Sequence, residues 1–179
     1  MPYTLQQLAD LEDIRMLKHR YFRAIDTANA ELLAELFTDD VSVDYRGGNY
    51  RITLQGRDQM LEFLANSFNA NVAAMHHGHM PEITLTGEDT AEGLWYLEDI
   101  FINLARKTHI FGSAIYKDRY RRVGGNWKIE HTEYDRVMEV SQPLSDQARL
   151  TSHHLATAGR RPEDMTDSSG VIIMTSASR

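Results

Sequence analysis

A chain of 179 residues, 42% hydrophobic and 25% charged, has the make-up of one ordinary globular domain, long enough to bury a core. It contains no cysteine, which excludes a disulfide, a thiolate nucleophile and a cysteine-based metal centre, and its net charge of −7 argues against a nucleic-acid partner. The start Met1-Pro2-Tyr3-Thr4 is unlike a signal peptide and no apolar run approaches a membrane span, so a cytoplasmic location with no membrane partner is expected.

Leu11, Ile14, Leu17 or Lys18, Tyr21 and Ile25 recur at three- and four-residue steps, which predicts a helix from Leu5 to Ala28. Asn29 is placed to cap a shorter helix, Ala30 to Phe37. Val41-Ser42-Val43-Asp44-Tyr45 alternates as a strand, Arg46-Gly47-Gly48-Asn49 has turn chemistry, and Tyr50 to Leu54 is expected to return as the second strand of a hairpin. A third helix opens at Gly56-Arg57-Asp58 with Met60, Leu61, Leu64 and Phe68 as its apolar stripe.

Beyond this helix the period changes to two. Strands are predicted over Glu82 to Leu85, Thr90 to Leu104, Thr108 to Val123 and Trp127 to Val140, with tight turns at Gly87-Glu88-Asp89 and Gly124-Gly125. Long antiparallel strands after a block of helices predict an α+β domain, the helices lying on one face of a curved sheet. After Pro143 the composition is that of a linker or tail, broken by the apolar patch Val171-Ile172-Ile173-Met174. The expected division is a domain over residues 1–144 and an extension over 145–179 that packs on it or on a neighbouring subunit.

The densest chemistry lies in Met75-His76-His77-Gly78-His79-Met80-Pro81, placed at the start of a strand. In an extended segment His77 and His79 share a face and His76 points the other way, so a zinc site with three or four converging ligands is not expected. One histidine here would read as a side chain filling a strand end; three together point to function. Strict alternation sets His76 opposite the face of Ile83 and Leu85, unless a bulge at Gly78 or Pro81 resets the parity. Asp26 falls near the last turn of the first helix, against the negative end of its dipole, and taken alone reads as a surface turn residue. Tyr21 lies on the inward stripe. Five residues separate it from Asp26, about 140° around a helix, so both reach one ligand only if the helix ends near Asp26.

Asp99 shares a strand face with Ala91, Gly93, Trp95, Leu97 and Phe101, all apolar or small. A carboxylate on such a face must be paired or must sit at a cavity mouth, because an unpartnered buried charge costs several kcal/mol (roughly). Ile110, Gly112, Ala114 and Tyr116 form the corresponding face of the next strand, and the small residues are expected to leave room for a ligand. An apolar pocket with a few polar groups is the usual form of a small-molecule site.

The order and spacing of these residues resemble the SnoaL-like branch of the nuclear-transport-factor-2-like superfamily, and within it the bacterial bile-acid 7α-dehydratases. The resemblance is carried by Tyr-Phe-Arg-x-x-Asp at 21–26, Met-His-x-Gly-His-x-Pro-Glu-Ile-Thr at 75–84 and Trp-Tyr-Leu-Glu-Asp at 95–99. It continues through Gly-x-Ala-x-Tyr-x-Asp-x-Tyr at 112–120 and Gly125, Trp127, Tyr134 and Arg136, covering roughly residues 8 to 144. Scytalone dehydratase and hexachlorocyclohexane dehydrochlorinase resemble it more distantly. The resemblance implies a cone-shaped barrel, a curved, mostly antiparallel sheet wrapped around the N-terminal helices with an internal pocket. It implies a cofactor-independent, metal-independent lyase that removes water from an apolar polycyclic or steroid-like ketone, commonly as a homotrimer. A ketosteroid-type isomerase, or a binding protein without chemistry, would use the same pocket. By the resemblance His76 is the catalytic base, Asp26 its orienting carboxylate and Tyr21 the donor to the substrate carbonyl. Tyr45 and Asp99 match residues lining the pocket and Arg136 an arginine near its floor, while Trp95 and Tyr116 are expected to contact the substrate. The proton for the leaving group comes either back from His76 or from Asp99. His77, where the family carries an apolar residue, and the loop Arg106-Lys107-Thr108 depart from the pattern and leave the substrate open.

Overall fold

The computed structural model describes residues 2–175. Helix α1 (Leu5–Asp26) starts at a reciprocal cap in which the Thr4 hydroxyl accepts from the Gln7 N–H and the Gln7 side chain accepts from the Thr4 N–H. Its buried stripe is Leu11, Ile14, Leu17, Lys18, Tyr21 and Ile25, the residues expected, joined by Phe22. The helix stops two residues short of the predicted end because Ala28 takes a left-handed φ of 49°. Helix α2 (Ala30–Leu36) is capped by Asn29, whose side-chain oxygen accepts from Leu32 N–H at 2.9 Å.

Strands β1 (Phe37–Arg46) and β2 (Tyr50–Gln55) form the expected hairpin, followed by α3 (Arg57–Ser67). Four long strands complete the wall: β3 (Val72–Leu85), β4 (Thr90–Asn103), β5 (Thr108–Val123) and β6 (Asn126–Pro143). The seven-stranded sheet has the order β3-β4-β5-β6-β1-β2-β7, where β7 is Ile172–Met174. Among the described residues only the β1–β6 pairing is parallel. Bulges bend the sheet into a cone: one in β3 between His79 and Glu82, and two in the β5–β6 ladder. The helices close the inner side. Trp95, Leu97, Ala114, Tyr116, Tyr120 and Ile129 are all 3% exposed or less, and they pack with the α1 stripe in one core.

One strand differs from the sequence expectation. The strand predicted only from Glu82 begins ten residues earlier, at Val72, so the histidine run lies inside β3 and not ahead of it. Its polar and glycine content hides the strand period, and pairing along β4 imposes the extended form. The expected parity break is present in the same strand, at Met80-Pro81, where Met80 has a φ of 50°.

The C-terminal segment does not trail into solvent. Helix α4 (Leu155–Ala158) inserts Leu155, 2% exposed, into the core, which stabilises by about 1.5–3 kcal/mol. Gly159 lies against the Asn69 backbone, where a Cβ would meet Asn69 C at 2.6 Å. Arg160 then donates to Glu62 and Asn66 of α3, and β7 adds to the edge of β2.

Candidate active site

The close of α1 delivers Asp26 to the inner face of β3. Its Oδ1 lies 2.6 Å from His76 Nδ1, and its Oδ2 accepts the His76 backbone N–H at 3.0 Å. Because a carboxylate only accepts, the proton between them sits on Nδ1, so in the neutral ring Nε2 keeps its lone pair. The two-point grip fixes the imidazole against the strand that carries it. The His76 side chain is 8% exposed and that of Asp26 22%. Phe22 stacks on the ring at 6.2 Å with planes 11° apart, and Phe68 meets its edge at 5.5 Å. Gly78 is what lets Phe22 lie flat on β3: a Cβ there would stand 2.0 Å from the Phe22 ring. His77 is exposed and His79 stacks on Tyr96, so neither joins His76.

Tyr21 is buried deeper, with its hydroxyl 3.0 Å from that of Tyr45. Burial pushes the Tyr21 phenol up to about 12, although the Tyr45 and Tyr116 hydroxyls work to lower it. Burial drives Tyr45 and Tyr116 well above the ordinary phenol range as well. Tyr45 stacks on Tyr134 at 4.5 Å, and Tyr134 bonds Tyr50 through their hydroxyls at 2.6 Å.

Asp99 stands directly across the ladder from His76 and is gripped through both oxygens by Arg136, with one bond of 2.8 Å. Arg136 also contacts Glu139 at 2.9 Å. Burial works against the guanidinium charge, but hydrogen bonding to Asp99 together with the charges of Tyr50, Tyr134 and Asp99 outweighs it and raises Arg136. The pairing that the apolar face demanded is therefore met across the sheet. A carboxylate with both oxygens bound to a guanidinium is arranged as an anion, which counts against Asp99 as the acid for a leaving group.

Two expectations about the pocket wall are corrected. Gly112 does not leave room for a ligand, since a Cβ there would meet the Met138 carbonyl at 2.4 Å; the residue is small because β6 approaches at a bulge. Trp95 lies in the core, 1% exposed, and donates its indole N–H to the Tyr120 hydroxyl at 2.8 Å. Tyr116 sits below Tyr21, Tyr45 and Phe22 with its ring edge-on to each. Two surface concavities lie away from His76. One of about 390 Å³ is lined by Lys117, His131 and Glu133 among others, and one of about 720 Å³ by Asp10, Glu88 and Arg122 among others.

Sequence reasoning passed over a fully buried ion pair, Lys18 with Asp118, 2.7 Å apart. The signal was available: Lys18 falls one turn before Tyr21 on the inward stripe, and Asp118 has the parity of Tyr116 and Tyr120.

Among solved structures the chain is similar to a type 2 hexachlorocyclohexane dehydrochlorinase, LinA, with a TM-score of 0.72 and 19% identity over 83% of this chain and 99% of that one. A type 3 form from Novosphingobium barchaimii gives a TM-score of 0.69 at 19% identity, covering 83% of this chain and 99% of that one. A scytalone dehydratase-like protein from Novosphingobium aromaticivorans gives 0.64 at 22% identity, covering 87% and 94%. At such identities the likeness establishes the cone-shaped fold. Residues 6–133 match the model of the SnoaL-like domain, and on that match the chain belongs to the SnoaL-like family of the nuclear-transport-factor-2-like superfamily.

Proposed function

We propose that this protein is a cofactor-independent hydro-lyase acting on an apolar polycyclic or steroid-like ketone. The observation that carries the reading is the His76–Asp26 pair, an imidazole held by a carboxylate at two points, with its free nitrogen among aromatic rings. His76 Nε2 takes a proton from a carbon acidified by the conjugated carbonyl, and the electrons of that C–H bond pass toward the carbonyl oxygen. Tyr21 donates to that oxygen while its own oxygen accepts from Tyr45, so the developing enolate faces a phenol already supported from behind. As the enolate collapses, the C–O bond of the leaving hydroxyl breaks and the His76 imidazolium returns its proton to it. Water leaves and a new C=C bond stays conjugated with the carbonyl. The base-and-donor pair moves only protons and needs no metal or organic cofactor.

Asp99 and Arg136 are assigned to the polar wall across from His76, with Tyr45 and Tyr116 in the aromatic floor. Phe68 and Phe101 lie against each other at 6.2 Å beside His76 and are assigned to the apolar wall. The family resemblance favours a homotrimer, which light scattering on the purified protein tests directly.

The deciding experiment is incubation with a panel of hydroxylated steroidal enones, read by product mass. Loss of water by the wild-type protein, reduced about 10² to 10⁴-fold in His76→Ala, is the expected result. Product of unchanged mass identifies an isomerase using the same base. Tight binding without turnover identifies a carrier, and undiminished activity in His76→Ala removes the assignment.

A further inference from the structure

One charged pair inside the cone takes no part in the proton transfers above. The side chains of Lys18 and Asp118 are both fully buried, with Nζ 2.7 Å from Oδ2. Nζ lies 3.7 Å from the centre of the Tyr116 ring, 4.7 Å from that of Tyr21 and 5.1 Å from that of Phe22. Asp118 Oδ2 also accepts the Tyr120 hydroxyl at 2.7 Å, and the Tyr120 oxygen in turn accepts from Trp95. The carboxylate is thus tied into the sheet, while the ammonium meets ring faces. Packing alone does not ask for this arrangement, because a buried ion pair is often no more stabilising than apolar side chains of the same volume. The rings over the ammonium are those of the site: Tyr21 is the carbonyl donor, Tyr116 supports it, and Phe22 backs His76.

We propose that Lys18, held by Asp118, is a positioning residue for the reaction, pinning these three rings and setting a fixed positive charge beneath the phenol that faces the enolate. The inference rests on the proposed function. As the carbonyl oxygen gains charge it draws on the Tyr21 proton, and negative charge spreads onto the phenol. Burial pulls the pKa of the Lys18 ammonium down and Asp118 opposes this, while the Asp118 carboxylate works against charge on the Tyr21 phenol. The ammonium against the ring face works the other way, and in a low-dielectric interior it does so without reorganising. The ketone in its ground state carries no such charge, so the effect belongs to kcat and not to KM.

The test is the double variant Lys18→Met/Asp118→Asn, which removes both charges, keeps the volume and retains an acceptor for Tyr120. It avoids the unpaired buried charge that either single change would leave. Expected is a folded protein whose kcat drops about tenfold or more while KM stays within about threefold. Unchanged kcat, or a loss confined to KM, overturns the inference. A second readout needs no turnover: 2-naphthol bound in the site is followed by the fluorescence of its ionised form. The wild-type protein is expected to raise the ionised fraction over that in solution, and the double variant to raise it less. Equal fractions, or no binding to the wild-type protein, also overturn it. Wild-type protein that ionises naphthol but dehydrates no ketone would instead refute the proposed reaction and leave the role of Lys18 standing.

Discussion

Replacing Asp26 by asparagine separates what holds the fold from what prepares the base. In the wild-type protein Oδ1 accepts from His76 Nδ1–H at 2.6 Å and Oδ2 from the backbone N–H at 3.0 Å. Asparagine satisfies both positions in one way only: its oxygen takes the backbone N–H and its amide donates to Nδ1. Nδ1 must then be the acceptor, so the ring proton moves to Nε2 and the free lone pair is lost from the side where the substrate is proposed to bind. The structural cost is the exchange of two charge-assisted bonds for two neutral ones, about 1–2 kcal/mol at a site where Asp26 remains 22% exposed. The catalytic cost is the whole contribution of a positioned base, about 10² to 10⁴ in kcat/KM. Thermal unfolding followed by circular dichroism is therefore expected to move by a few degrees only, while dehydration nearly stops. Nitrogen NMR of labelled histidine supplies the link, since the Nδ1 and Nε2 signals of His76 should exchange character between the two proteins. A variant that keeps turnover within about threefold of wild type, or whose ring retains its proton on Nδ1, would refute the reasoning.

Other outcomes follow from the same geometry. Gly78→Ala sets a methyl 2.0 Å from the Phe22 ring, so Phe22 must leave its stack on His76. Chemical denaturation should register a loss of about 1–3 kcal/mol, with activity falling further than stability explains. The Glu62–Arg160 clamp on the C-terminal segment should be acid-labile. Hydrogen bonds from Arg160 and Thr166 hold Glu62 at about 2 against an ordinary 4.5. Its folded-state pKa is depressed, so its stabilisation is complete above about 4.5 and is lost as pH falls toward 2. Hydrogen exchange of residues 160–166 should accelerate across that window, and Glu62→Gln should show fast exchange at neutral pH. Exchange independent of both pH and the substitution would remove the clamp.

Much of the architecture could be read before the coordinates, for a local reason. The α1 stripe, the Asn29 cap, the hairpin at Gly47-Gly48 and the strands from Thr90 onward each announce themselves by period or by turn chemistry within a few residues. The start of β3 did not, because Met75-His76-His77-Gly78-His79 has no apolar alternation and is extended only by its ladder with β4. The tail was equally opaque. Leu155 is one leucine among polar residues, and nothing in its neighbours states that a gap in the core awaits it.

The division within the site follows the same line. Sequence alone marked Tyr21 as inward by helical period and Asp99 by strand parity, and it separated His76 from His77 and His79. That His76 shares the inner face of Ile83 and Leu85 was decided by the bulge between His79 and Glu82. Sequence also required that Asp99 be paired or sit at a cavity mouth, since a bare charge on an apolar face is too costly to keep. Which partner each would find was decided only by the tertiary fold. Asp26 with His76, Asp99 with Arg136 and Lys18 with Asp118 are pairs 37 to 100 positions apart, and a sequence distance of that size constrains no spatial distance until the bulges and helix ends set the curvature of the sheet.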